Sequence, residues 1–176
     1  MRLRSRVVPA AVALVVLVTT ASCGQAPAPA PAEPSAPVNP LHGVWSMTAI
    51  SGDGGATIDP SQPGLFIFTE GHYSAVYSLG ADPRPLSAAG FDPTSEEKVA
   101  QYDTIIVNTG TYEASGSTIT FRPMVAKSPE FIGGHSTMDY QINGDTLTLS
   151  ATSTVAADGA SPPDGFEPSM TLRRLQ

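Results

Sequence analysis

The chain has 176 residues, 16 of them glycine and 17 proline, so about a fifth of it consists of turn formers. That length suits one domain with tails and excludes a large multidomain enzyme. Charged residues are only 14% and the formal net charge is −7, which argues against coiled coils and leaves no nucleic-acid partner to expect.

The chain opens on MRLRSRVVPAAVALVVLVTTASC. Arg2, Arg4 and Arg6 form a basic leader, and Val7 to Val18 is an uncharged apolar run of 12 residues. A membrane-spanning helix needs about 20 apolar residues, so this run fits the core of an export signal over residues 1–22. It closes on Thr20-Ala21-Ser22, directly before Cys23, the only cysteine of the chain. A lone cysteine cannot form an intramolecular disulfide. The junction resembles the bacterial lipobox, with Thr20 where a branched aliphatic residue is more usual. The resemblance implies that Cys23 is acylated, palmitate being one such chain, and becomes the new N-terminus. The alternative is ordinary signal cleavage with Cys23 a bystander. Two or three acyl chains would anchor the protein firmly to the cell envelope, at the outer face of the plasma membrane or at the outer membrane. Nine basic residues less Arg2, Arg4 and Arg6 leave six against 16 acidic ones, a formal −10. Such a body is repelled by anionic lipid, so the anchor and not a basic surface would hold it there.

Residues 24–40, GQAPAPAPAEPSAPVNP, carry six prolines, five alanines and one charge. This composition cannot bury a core and favours extended polyproline conformation. With Cys23 it reads as a lipidated stalk over 23–40, reaching roughly 50 Å at about 3.1 Å per residue.

From Leu41 to Gln176 the dominant period is two. Three pairs of β-rich runs flank short turns: GLFIFT and HYSAVYSL around Glu70-Gly71, TGTYEA and STITFRPM around Ser115-Gly116, HSTMDYQI and DTLTLSAT around Asn143-Gly144. Counting outward from Asn143-Gly144 sets Tyr140 opposite Leu147 and Met138 opposite Leu149. The same count around Ser115-Gly116 sets Tyr112 opposite Ile119. Each gives one apolar and one polar face. Around Glu70-Gly71 both faces are apolar, Phe66/Phe68/Tyr73/Tyr77 on one and Leu65/Ile67/Val76 on the other, so this pair is expected to be covered on both sides. Strands over Gly43–Ile50 and about Pro168–Leu175 bracket the six. The expected class is all-β, an eight-stranded antiparallel up-and-down barrel without exposed edges. One helix is expected near 94–106. Thr94-Ser95-Glu96-Glu97 is its capping box, and Val99 with Tyr102 to Ile106 its apolar side. Glu96 and Glu97 fall in its first turn and read as caps, not catalytic acids.

These residues resemble a known family. Leu41-His42-Gly43-Val44-Trp45 is similar to the GxW opening of lipocalins. GLFIFTEGHYSAVY, Arg84-Pro85, NTGTYEASGSTITFR, Gly133-Gly134 and DYQINGDTLTLS, in that order, resemble the small bacterial lipocalin-like domain over most of 41–152. The resemblance implies a lipocalin-like barrel over 41–176. It also implies an arginine of the last strand packed across the tryptophan at the closed end: Arg174 over Trp45, with Arg173 the second candidate. In a sequential barrel the tight turns share one end and the long connections the other. The loop end is where a cavity would open, since eight strands can enclose one small ligand. The stalk would enter at the pinched end, so the mouth would face away from the membrane.

The expected ligand-lining residues are Phe66, Tyr77, Phe121, Met138, Tyr140 and Leu149, on the apolar strand faces; the alternative is that they fill a solid core. Arg122, Glu113 and Asp139 fall on polar faces and read as solvent-facing. No GxSxG, P-loop, GxGxxG or HExxH motif is present. His42, His72 and His135 share no metal-ligand spacing, so neither a metal nor a cofactor is expected, and His135 reads as a surface histidine. Three functions stay open: a tethered module binding a small hydrophobic molecule, an isomerase or cyclase acting on a hydrophobic substrate, and a filled barrel docking another envelope protein. A catalytic role would need an inward carboxylate or histidine with a tuned pKa, and the strand phases place none there, so the pattern favours a binder over an enzyme. The binder requires an apolar cavity and the filled barrel none.

Overall fold

The computed structural model describes residues 39–52, 57–60, 62–162 and 168–176. The expected signal segment, Cys23 and the stalk as far as Val38 lie outside the described residues. β1 (Gly43–Ser51), a short β2 (Thr57–Ile58), β3 (Gly64–Phe68), β4 (His72–Ser78), β5 (Ile105–Ser115), β6 (Thr118–Ala126), β7 (His135–Asn143), β8 (Thr146–Val155) and β9 (Ser169–Arg174) form one antiparallel sheet. β1 pairs with β3, each later strand pairs with its successor, and β9 pairs back onto β1. β2 only extends the far end of β1, through Ile50 and Ile58. The result is a closed eight-stranded antiparallel barrel with one short helix, the architecture that the alternating pattern predicts.

The hairpins around Ser115-Gly116 and Asn143-Gly144 differ in register from the expected pairing. Tyr140 pairs with Leu149, Ile142 with Leu147 and Met138 with Ala151. Tyr112 pairs with Phe121, while Ile119 pairs with Ala114. Both pairings are displaced by two residues because glycine takes the first central position of each turn. Gly116 (φ 61°) and Gly144 (φ 59°) precede Ser117 and Asp145, and no non-glycine residue among those described has positive φ. Glycine first is the arrangement of a type II′ turn, whereas counting from Asn-Gly assumes glycine second. A slip of two leaves every side chain on its own face, so the inner and outer faces stand as expected.

Three bulges re-aim the strands toward the loop end. Thr48 on β1, Met124 on β6 and Thr152 on β8 are the extra residues. The two threonines hydrogen-bond across the gap they open, Thr48 Oγ1 to the Thr171 carbonyl at 3.1 Å and Thr152 Oγ1 to the Thr137 carbonyl at 3.0 Å. Opposite Met124 the backbone approach is so close that a Cβ on Gly110 would lie 2.1 Å from the Arg122 carbonyl oxygen, which requires glycine there. Each bulge flips the inward phase beyond it. Ile50 thereby turns inward with Trp45 and Met47, and all three are buried.

The turn end is sealed. Trp45 and Leu41 are fully buried, and the indole N–H donates to the Leu41 carbonyl at 2.8 Å. The Arg174 guanidinium carbon lies 3.9 Å from the Trp45 ring centroid. Its Nη1 and Nη2 donate to the carbonyls of His42 (2.7 Å) and Pro40 (2.6 Å). Asn39 Nδ2 donates to the Tyr112 hydroxyl at 3.2 Å, and that hydroxyl donates to the Thr69 carbonyl. Residues 39–42 therefore form a plug, and its first contacts come from Asn39 and Pro40, ahead of Leu41.

Two further expectations are corrected. Leu65, Ile67 and Val76 are about 40% exposed, so the outer face of β3 and β4 is open to solvent; no described element packs over it. The helix α1 is Ser95–Asp103, with the Thr94/Glu97 capping box in place, but none of its residues is buried. Val99 is 60% and Tyr102 51% exposed. The β-branched run Ile105-Ile106-Val107 joins β5 instead of the helix, because its backbone pairs with β4. Glu97 accepts from the Ala88 and Thr94 amides, which holds its carboxyl below the usual range. Arg84 closes the other end, donating to the Gln101 carbonyl and to Thr104 Oγ1.

The plug predicts the cost of losing its clamp. Arg174→Ala removes a charge-assisted pair of hydrogen bonds and a cation–π contact, and should destabilise the barrel by about 2–3 kcal/mol. Arg174→Lys should recover only part of this, since an ammonium cannot span both carbonyls while stacking on the ring. Equilibrium urea denaturation followed by Trp45 fluorescence measures both.

Candidate functional site

Among the described residues, the loop end is built from 59–60, 62–63, 79–104, 127–134, 156–162 and Pro168, and the barrel interior is hollow beneath it. A cavity of about 140 Å³ lies there. Its walls are aromatic and thioether-rich. Phe66 and Tyr77 stack with centroids 5.6 Å apart and planes 17° from parallel, and Tyr73 meets Phe121 edge-on at 4.6 Å. Met138 and Met170 line it as well, and Ala75 leaves room where a larger side chain would fill it. Phe131, on a single 3₁₀ turn (Pro129–Phe131), and Pro168 contribute from the loops.

Of the six expected lining residues, Phe66, Tyr77, Phe121 and Met138 come together around this cavity. Tyr140 and Leu149 do not line it. They pair with each other nearer the closed end, where Leu149 is fully buried and Tyr140 packs half-buried against the core. The two-residue displacement of the β7–β8 register accounts for this, since it moves Leu149 from beside Met138 to beside Tyr140. Arg122, Glu113 and Asp139 are exposed on the outer face.

Besides Tyr77, four polar side chains line the cavity: Tyr73, Asn108, Ser136 and Thr154. Tyr73 donates its phenolic hydrogen to Asn108 Oδ1. Ser136 Oγ and Thr154 Oγ1 face each other at 3.2 Å on the β7–β8 wall. None of these carries an expected role from sequence. Asn108 falls between the expected helix near 94–106 and the run TGTYEA, although Ile106, Asn108, Gly110 and Tyr112 share one phase. Strict alternation from Leu147, Leu149 and Ala151 would turn Ser153 inward, and the Thr152 bulge brings in Thr154 instead.

The electrostatics are those of an uncharged site with buried phenols. Burial pushes the Tyr77 phenol up to about 12 and raises Tyr73 further still. Burial also raises Tyr112, below the cavity. Among the described residues no Asp, Glu, Lys, Arg or His lines the cavity, and no three His, Cys, Asp or Glu side chains gather as metal ligands. What the arrangement can do is surround a small apolar body and offer neutral hydrogen-bonding groups at its edge.

The fold and cavity thus define a closed antiparallel barrel, plugged at one end and hollow at the other. No protein-family model and no curated protein matches the chain. Among solved structures, the crystal structure of an uncharacterized protein from Bacteroides eggerthii is similar at 13% sequence identity and a TM-score of 0.40, covering 76% of this chain and 98% of that one.

The tyrosines give a pH prediction. An acid whose folded pKa is raised adds stability that is complete below its unfolded value and declines above it. Stability should therefore fall as pH rises from 10 toward about 12. In an absorbance titration of the five tyrosines, the phenolate signal at about pH 11 should fall short of its full amplitude. The missing part should appear on unfolding; full amplitude in the folded protein would contradict the burial of Tyr73 and Tyr77.

Proposed function

We propose that this protein is a lipocalin-like binding module for a small hydrophobic molecule, held at the cell envelope by lipid on Cys23. The observation that carries the reading is the aromatic cavity at the loop end. A cavity of roughly 150 Å³ accepts a benzene-sized guest, and this one, at about 140 Å³, has comparable room. Binding would work by burial: the guest leaves water for aromatic and thioether surface at about 25 cal/mol per Å². The tether rests on the basic leader, the short apolar run and the single cysteine. The stalk would enter at the plugged end, so the cavity would face away from the membrane.

The enzyme reading has less support. A general acid or base works best with a pKa near the operating pH, and the only titratable groups at the cavity among the described residues are two tyrosines with raised pKa values. Docking of another envelope protein through a filled barrel is weakened by the hollow interior.

Native mass spectrometry of the exported protein tests the reading. The native spectrum should show a discrete added mass on the order of 100–200 Da that leaves on denaturation. Ala75→Leu, which grows a side chain into the cavity, should abolish it. The bare mass, unchanged after soaking in a total lipid and metabolite extract, would overturn the binding reading in favour of docking. The denatured mass tests the tether: it should fit a chain beginning at Cys23 and carrying two or three acyl groups, lost in Cys23→Ser.

A further inference from the structure

We propose that the cavity selects a neutral single-ring molecule bearing one hydrogen-bond acceptor, which the side-chain amide of Asn108 receives. The proposal rests on the ligand-binding reading and narrows it to a chemical class. Asn108 Oδ1 is occupied by the Tyr73 hydroxyl, so the amide presents its Nδ2 hydrogens, and Nδ2 makes no hydrogen bond among the described residues. In this structure the Tyr73 hydroxyl donates to Oδ1, and that bond holds the amide with Nδ2 turned away from the phenol. The backbone on either side is fixed as well: Asn108 pairs with Ala75 on β4 and Ala126 on β6, and Thr109 Oγ1 ties to the Tyr73 carbonyl at 2.7 Å.

A donor that faces an apolar cavity is costly when a hydrocarbon seals it from water, and favourable when the guest supplies an acceptor. The second polar pair, Ser136 and Thr154, already satisfies itself across 3.2 Å. The Tyr77 hydroxyl, also at the wall, can either donate or accept and so discriminates little, which leaves the donor-only Asn108 Nδ2 to decide. Charge is the other filter. Among the described residues no side chain of either sign lines the cavity, and an ion buried there would lose its hydration with no opposite charge to replace it. Size and walls complete the class. About 140 Å³ takes one substituted ring and not a long acyl chain, and the faces of Phe66 and Tyr77 with the sulfurs of Met138 and Met170 favour an aromatic one.

Three probes of equal non-hydrogen atom count separate these filters: acetophenone, cumene and benzoate. Each is titrated into the full exported chain, with binding read from the methyl resonances of Met138 and Met170. Acetophenone should bind about five- to tenfold more tightly than cumene. Benzoate should give no saturable shift at concentrations that saturate acetophenone. Asn108→Leu should erase the preference for acetophenone while cumene still binds. Tyr73→Phe, which keeps the amide but frees it to rotate, should reduce the preference and serves if Asn108→Leu misfolds. Equal binding of acetophenone and cumene to the unaltered protein would overturn the Asn108 assignment and leave the ligand-binding reading standing. Benzoate binding as tightly as acetophenone would overturn neutrality. Silence of both methionine methyls to all three probes would overturn the inference together with the binding reading.

Discussion

The pairing of the last strand with the first is the constraint on which this structure depends. Until β9 lies against β1, the sheet has two open edges and no enclosed interior, so neither the core nor the cavity exists. The seam is reinforced beyond the strands: the Leu175 N–H donates to the Val44 carbonyl, and the Arg174 N–H to the Asp145 carbonyl in the β7–β8 turn. Arg174 then turns its side chain across Trp45 and onto the plug, a contact between groups 132 positions apart in the chain. Contacts of such separation form late and slowly in folding, because the loop must be closed before any of them contributes. The seam is thus the part that fixes the barrel.

Once the cylinder is closed, the two ends do different work. The turn end is filled by Trp45, Leu41 and the aromatic cluster of Phe68, Tyr112 and Phe121. The loop end loses that density because the bulges splay and re-aim the strands. The bulge at Thr152 is instructive, since one extra residue both opens the wall and rotates a hydroxyl into it. Polarity in the cavity is therefore a product of backbone irregularity as much as of composition.

Much of this was legible in the residues. Alternation with small central turns sufficed for eight strands, their order and their faces, since face depends only on parity. Register was not legible, because the same Asn-Gly pair can seat glycine first or second in the turn. That shift decides whether Leu149 neighbours Met138 or Tyr140. The outer face of β3 and β4 misled for a different reason. Leu65, Ile67 and Val76 suit a pleated strand whatever covers them, so apolar character alone does not report burial. The helix was recognisable by its cap and not by its packing: Tyr102 grips Lys127 through paired hydrogen bonds at the surface instead of entering the core. Asn108 went unassigned because a single amide inside an apolar run carries no motif. Its meaning comes only from the Tyr73 hydroxyl that faces it across the strands.

The plug and the chain end meet at the same rim, where the Gln176 carbonyl accepts the Val44 N–H at 3.3 Å. β1 and β9 are antiparallel, so a force drawing Asn39 and Gln176 apart would meet the seam at its edge and open its rungs one after another, as a zipper opens. A pull on the chain before Asn39 alone, with no opposing pull on the other terminus, transmits nothing across those rungs. A barrel held by its leading end therefore keeps its weakest mechanical direction out of the line of tension, while a barrel suspended between both ends would begin to open at Arg174.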